Sequence, residues 1–317
     1  MKARVLTTAS LLTAFAGVLP AADPQLMKLV MADVKVMSDV NVLQAKLSPF
    51  GQYLLSQMES SQIQQLATET GFDPRQDLIE LLAVSNGTPG TGGAANSLVL
   101  ASGVFSPAKI ASAAAASGAT QEVYKGVAII ESPAKTEGIA FLDGSTLIAG
   151  SVASVKAAID RQAAPATLPP SLITEANQLS VAYDAWALST VSPASLGPAG
   201  DSKPTKVGSM TLPANLLQQV QSGYVGVKFG SNVALTAQAQ SDTAEDATAM
   251  AGLLQLLGNI AQMQSAKNPD AAAFAKSLTV TANGSTVNIS ASVPEAQFQQ
   301  FLTPKAAVKG HIQGERK

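Results

Sequence analysis

The chain has no cysteine, and its single histidine, His311, stands in the C-terminal tail. Without thiols there are no disulfides, so stability has to come from burial. A lone imidazole cannot assemble a zinc site, and the nucleophile pairs that rely on Cys or His are excluded with it. Charged residues make up only 13% of the chain, about half the usual share, which leaves the polar surface to Gln, Ser, Thr and Asn. A net charge of −2 sets up no field that would gather nucleic acid or anionic lipid. Aromatics, at 4%, are too few for a base-stacking platform. Apolar residues, in contrast, reach 46%, enough for a sizeable core in a chain of this length.

The first 22 residues read as a cleaved export signal. Lys2 and Arg4 give a positive start, residues 5–19 are mostly apolar, and Pro20, Ala21 and Ala22 follow before Asp23. Small residues belong at that point because the peptidase that removes the leader has narrow pockets just ahead of the cut. Cleavage is expected after Ala21 or Ala22, with Ala14-Phe15-Ala16 as the earlier option. The apolar run falls short of the roughly 20 residues a spanning helix needs, and it carries Thr7, Thr8, Ser10 and Thr13. With no cysteine after it, a bacterial lipid anchor is excluded. The expected location is periplasmic or secreted, with no transmembrane segment left after cleavage.

From residue 23 onward, hydrophobic period and turn chemistry predict an α+β fold in two similar lobes, each a mainly antiparallel sheet with helices on one face. The N-terminal lobe spans 23–163. Residues 164–170, with Pro165, Pro169 and Pro170 among alanines, read as a linker. The C-terminal lobe spans 171–303, and a basic tail, 304–317, carries Lys305, Lys309, Arg316 and Lys317. In the first lobe a strand is expected over 34–42, a helix from Ser48-Pro49 to about Thr70, strands over 97–105 and 122–131, and a helix over 106–117. A hairpin follows across Asp143-Gly144, then a helix from Ser151 to Arg161. In the second lobe a helical turn leads to a strand over 179–188. Residues 191–209 read as a long loop, and a helix is expected near 212–222. Hairpins are expected over 224–240 and 278–293, and a closing helix over 294–302. The longest predicted helix, 242–264, starts with Asp242 and Glu245 at capping-box spacing. It puts Met250, Leu253, Leu254, Leu257 and Ile260 on one face.

Motifs that would carry chemistry fail on context. Ser106–Lys109 and Ser132–Lys135 have the Ser-x-x-Lys spacing of penicillin-recognising enzymes. In the first copy, though, Ser-Pro is a helix start, and the second sits between strands. The Gly-rich stretch 86–96 lacks the lysine and the following helix of a phosphate-binding loop. Asp73, Asp77 and Glu80, like Asp242, Glu245 and Asp246, cluster where helices begin, as the helix dipole favours. No residue is a candidate for catalysis, cofactor or metal, and no cofactor is called for.

Asn41-Val42, Ala45-Lys46 and Ser48-Pro49-Phe50-Gly51-Gln52, together with the 138–149 hairpin and the Ser151 helix ending near Ala158-Ile159-Asp160-Arg161, resemble a group of uncharacterised exported bacterial proteins. The resemblance implies a duplicated α+β architecture and no activity. The expected function is therefore non-catalytic: an exported binding or envelope-associated protein. A periplasmic carrier of an apolar ligand such as a lipid, held by the 250–260 stripe, is the first alternative, and a Ser/Lys acyl-transfer enzyme acting through Ser106 the second. Envelope proteins and apolar ligands are the expected partners, and nucleic acid is not one.

Overall fold

The computed structural model describes residues 22–58, 61–87, 96–192, 205–207, 210–212, 219–263 and 269–302. Residues 1–21, where the leader is expected, most of the Gly-rich stretch, the core of the predicted 212–222 helix and the basic tail with His311 lie outside them. Among the described residues the chain is α+β, as its patterning predicts. In order, the elements are α1 (Pro24–Met27), β1 (Val36–Asn41), α2 (Val42–Leu47), α3 (Pro49–Gln57), α4 (Ser61–Thr70), α5 (Pro74–Asp77), β2 (Leu78–Ser85) and β3 (Ser97–Gly103). Then come α6 (Pro107–Ala116), β4 (Thr120–Tyr124), β5 (Val127–Glu131), β6 (Glu137–Phe141), β7 (Thr146–Ser151), α7 (Val152–Ala163), α8 (Pro170–Ala182) and β8 (Ala185–Ser189). The remainder is β9 (Thr205–Val207), β10 (Met210–Leu212), β11 (Val220–Lys228), β12 (Asn232–Ser241), α9 (Ala244–Met263), α10 (Pro269–Ser277), β13 (Thr279–Asn283), β14 (Thr286–Pro294) and α11 (Glu295–Leu302).

Twelve strands form one sheet in the order β13-β14-β12-β11-β8-β1-β2-β3-β7-β6-β5-β4, and β9 and β10 form a separate pair. Strands on either side of 164–170 therefore belong to a single sheet, joined where β1 pairs with β8 over Val36–Val40. The linker is short and packed: Leu168 is buried in the main core. Phe50 on α3 reinforces the join, stacking edge-on against Phe229 and Phe298 with ring centroids 5.5 and 5.2 Å away.

The helices do not all lie on one face. Register carries Ile129, Ala140, Ile148, Leu100 and Leu82 across β5, β6, β7, β3 and β2 as direct neighbours. These side chains share a buried cluster with Leu26 and Val30 from the N-terminal segment, Val155, Ala158 and Ile159 from α7, and Leu172, Ala176 and Leu179 from α8. The second cluster uses the opposite face. Val280, Val287, Ala239 and Ile289 pack with Ala247, Met250 and Ala251 of α9, and all four strand residues point away from the first cluster by the pairing Tyr224↔Gln238↔Asn288. Helical cover thus changes faces around β8 and β11.

Local chemistry accounts for the departures from the expected elements. The strand foreseen over 122–131 is a hairpin, turned at Lys125 and Gly126, whose φ angles of 49° and 84° are both left-handed, as a two-residue I′ turn requires. The helix foreseen from 48 to 70 is divided into α3 and α4. Residues 170–182 form a full helix, Pro at its first position, where a helical turn and an early strand are expected; β8 begins only at Ala185. Residues 220–222 are strand, not helix. Ser106 makes no side-chain cap bond. At α9 the cap is Thr243, whose hydroxyl accepts from the Asp246 amide at 3.0 Å, one position on from the Asp242 expected there. Gly51 is required by proximity: a Cβ on it would run into the backbone carbonyl of Ala45. Gly51→Ala should cost about 1–3 kcal/mol, read as a lower denaturant midpoint at unchanged slope.

Candidate apolar binding face

Among the described residues α9 covers β12 to β14 and the Val220 end of β11, and the same face is open over the middle strands. One row of directly paired residues crosses it: Ile139, Ala149, Val99, Ala83, Ser38, Ala187, Val225, Ala237 and Ile289, running from β6 to β14. Only Ser38 is polar. Ile139, Val99 and Val225 are 37%, 38% and 37% exposed, large values for valines and isoleucines in sheet interiors. Exposed apolar area that is contiguous in this way is uncommon on protein surfaces, which makes the strip a candidate contact surface. Nine residues span eight gaps of about 4.8 Å, so the strip is about 38 Å long.

At its centre the strip deepens into a trough of about 350 Å³, lined by Val36, Ala187, Ser189, Gly223, Val225 and Ala237 among others. Small side chains create it. Alanines and Gly223 stand where leucines would fill the space, and a Cβ on Gly223 would collide with the Gln238 carbonyl. Among the described residues no Asp, Glu, Lys or Arg lines the trough. The peptide groups of its strands are engaged in ladders on both sides, so the floor offers surface area and almost no free hydrogen bonding.

The residues that sequence reasoning selected lie at one end of this face. Met250 is buried against Val220, Val280 and Val287, with Leu253 and Leu254 packed beside it. Leu257 is half-buried, Ile260 is 36% exposed, and Leu256 and Met263 are still more open. The first three therefore anchor α9 to the sheet, and the stripe leaves the core as the helix proceeds. The strip itself was missed, although its signal is in the sequence. Residues 81–84, 98–101 and 185–188 are continuous apolar runs, which mean two apolar sheet faces where alternation would mean one.

On the opposite face a cleft of about 560 Å³ lies beside α8, lined by Thr174, Glu175, Gln178, Tyr183, Tyr224 and Gln238 among others. Burial pushes the Glu175 carboxyl above its ordinary range, and burial with the neighbouring Tyr183 does the same to the Tyr224 hydroxyl. The Tyr183 ring lies over Gly226, where a Cβ would strike it.

A third feature is a buried acid pair. Asp39 on β1 and Glu80 on β2 are 3% and 7% exposed, diagonal neighbours through the pairs Asp39↔Leu82 and Asn41↔Glu80. Trp186 stands directly opposite Asp39 on β8. Burial, then the charge of Glu80, pushes Asp39 up to about 8. Glu80 is also raised, chiefly by burial, while hydrogen bonds from the Asp23 amide and from Asp39 pull the other way. Burial therefore favours a proton retained within the pair. Glu80 is thus not the helix-start acid its spacing suggests.

The Ser-x-x-Lys motifs are not assembled. The Lys109 amine lies against Gly71 at the end of α4. Ser132 accepts from the Glu137 amide at 3.2 Å, and Lys135 sits at φ 54° in the turn. Among the described residues no three His, Cys, Asp or Glu come together as a metal site, and no helix is long and apolar enough to cross a membrane.

No protein-family profile matches the chain, and no curated protein does. Solved structures are similar in fold. Crystal form III of TP0453 superposes with a TM-score of 0.53 at 10% identity, covering 87% of this chain and 96% of that one. Crystal form I gives 0.51 at 10% identity with the same coverage. The α+β sheet architecture is therefore one already seen in a solved protein.

Proposed function

We propose that this is a non-catalytic exported protein that binds an apolar ligand, an acyl chain, along the open face of its sheet. The observation that carries the reading is the uncharged trough at Ala187, Val225 and Ala237, continuous with an exposed strip of alanine, valine and isoleucine. A protein partner would be expected to find aromatic or arginine anchors and about one hydrogen bond per 100–200 Å². The strip has no arginine and no tryptophan, and its backbone is already paired. An acyl chain needs neither anchor nor hydrogen bond, only apolar area at about 25 cal/mol per Å². The export signal supports the same reading, since an envelope is where lipids have to be carried through water.

The test uses a fluorescent fatty-acid analogue with the purified full chain, together with native mass spectrometry. Saturable binding is expected, weakened at least about tenfold by Ala187→Glu or Val225→Arg, because a charge placed in the trough must be desolvated when the chain binds. Both positions face solvent, so the variants should fold, with unchanged circular dichroism as the control. Binding that is absent, or untouched by both substitutions, rejects the proposal. Capture of a protein in place of lipid would assign the face to a macromolecular partner and reject it equally.

A further inference from the structure

The buried acid pair has no cation. Among the described residues neither Asp39 nor Glu80 meets a lysine or arginine, and the electrostatic influences on both come from acids. Asp39 Oδ1 is fully buried with no hydrogen-bond partner. Two buried carboxyls without a counter-charge are costly, and a buried acceptor left empty costs more. The group that does reach Glu80 is the main-chain nitrogen of Asp23, 2.9 Å from its Oε1. Asp23 also opens α1 as its N-cap, accepting from the Gln25 amide at 2.8 Å. That short helix packs down through Leu26, which is fully buried. The nitrogen is thus held in place by folded structure on its C-terminal side. It is also the atom that leader removal after Ala22 would set free.

We propose that cleavage between Ala22 and Asp23 generates an α-ammonium that docks on Glu80 and Asp39 as their missing counter-ion, so that export processing completes the fold. The inference rests on the export reading above. The step is a peptide hydrolysis: one water is consumed, Ala22 leaves with the new carboxylate, and Asp23 keeps the nitrogen, which takes up a proton to become an ammonium. One amide donor becomes three charged donors at a position already within hydrogen-bond distance of Glu80. In the uncleaved chain the same nitrogen can offer only one bond and no charge, and the pair must retain a proton. Cleavage precedes folding, so the buried setting of Ala22 is no obstacle to the peptidase.

Two measurements separate this inference from the reading it rests on. The first is the intact mass of protein recovered from the periplasm or medium of a bacterial host. A start at Asp23 is expected. A retained leader would overturn export and this inference together, whereas a start at any other residue would overturn only the inference. The second compares chains produced to begin at Asp23, with the amine free or acetylated. The free amine should raise the unfolding midpoint at pH 7 by about 5 °C. Glu80→Gln or Asp39→Asn should shrink that difference. The native amine should also react with an acylating ester about tenfold more slowly than in the unfolded chain, a comparison that needs no variant. Equal midpoints with unprotected reactivity would overturn the docking.

Discussion

In a chain that keeps residues ahead of Asp23, thermal stability should fall as pH is raised from 5 to 8, and Asp39→Asn should remove most of the fall. Asp39 has an ordinary value of 3.8 and is held at about 8 in the fold. A raised pKa means that the folded state holds the proton more tightly than the unfolded one. The associated stability is fully present below about pH 4, declines as pH rises toward 8, and is gone above it. Each unit of displacement is worth about 1.4 kcal/mol, so the loss across the window is on the order of a few kcal/mol. The chain has no cysteine, and its single histidine is His311. The raised Glu80 and Glu175 act in the same direction, both through burial. Asparagine copies the protonated form: its amide can donate to Glu80 as Asp39 does, and it never ionises. The variant should match the parent near pH 4 and exceed it at pH 8 in a denaturant titration. Parallel curves would show that the pair does not hold its proton. If the α-ammonium of Asp23 docks as inferred, the processed chain should lie between the two, because the cation offsets the second charge.

This pair also shows where sequence reading stopped. Asp39 and Glu80 are 41 positions apart by their numbers, and only the β1–β2 register brings them together. Glu80 stands three residues after Asp77, and helix-start chemistry, real enough at Asp73 and Asp77, was extended to it. Local signals were legible where the cause is local. Asp143 closes its turn by accepting from Ser145 and Thr146, Ser151 caps α7, and Asn283-Gly284 turns the last hairpin with Gly284 at φ 56°. What builds the proposed binding face is not local. Ala187 and Val225 become neighbours through a β8–β11 pairing that spans a long intervening segment, and the change of helical cover between faces follows from strand order, which hydrophobic period does not encode. The α9 stripe was legible as an apolar face. Whether such a face lines a cavity or seals a core depends on what opposes it, and for Met250 that is Val280 and Val287.

Leu100→Ala should be among the most damaging single substitutions, and the way the protein then melts will test how far the two ends of the sheet act as one. Leu100 is fully buried on β3, between Leu82 and Ile148, at the centre of the cluster that α7 and α8 cover. Close packing on both sides leaves little room to collapse into the space, so the loss should be about 2–5 kcal/mol. Met250→Ala removes a comparable volume from the smaller cluster on the other face, where Ala247, Ala251 and Val220 surround it. Those neighbours are smaller and α9 is long, so partial closure should hold its cost nearer the lower end of that range. If the continuous ladders β1–β8 and β8–β11 and the Phe50–Phe229–Phe298 contacts bind the halves into one cooperative unit, each substitution should move a single calorimetric transition. Two transitions, one moved by Leu100→Ala and the other by Met250→Ala, would instead establish separately folding lobes divided near 164–170. A single transition is expected because strand β8, beyond that segment in sequence, contributes Trp186 and Leu188 to the core that holds Leu100. Removing the N-terminal strands would strip that strand of its neighbour β1 and expose both side chains, leaving the C-terminal sheet with an open, apolar edge.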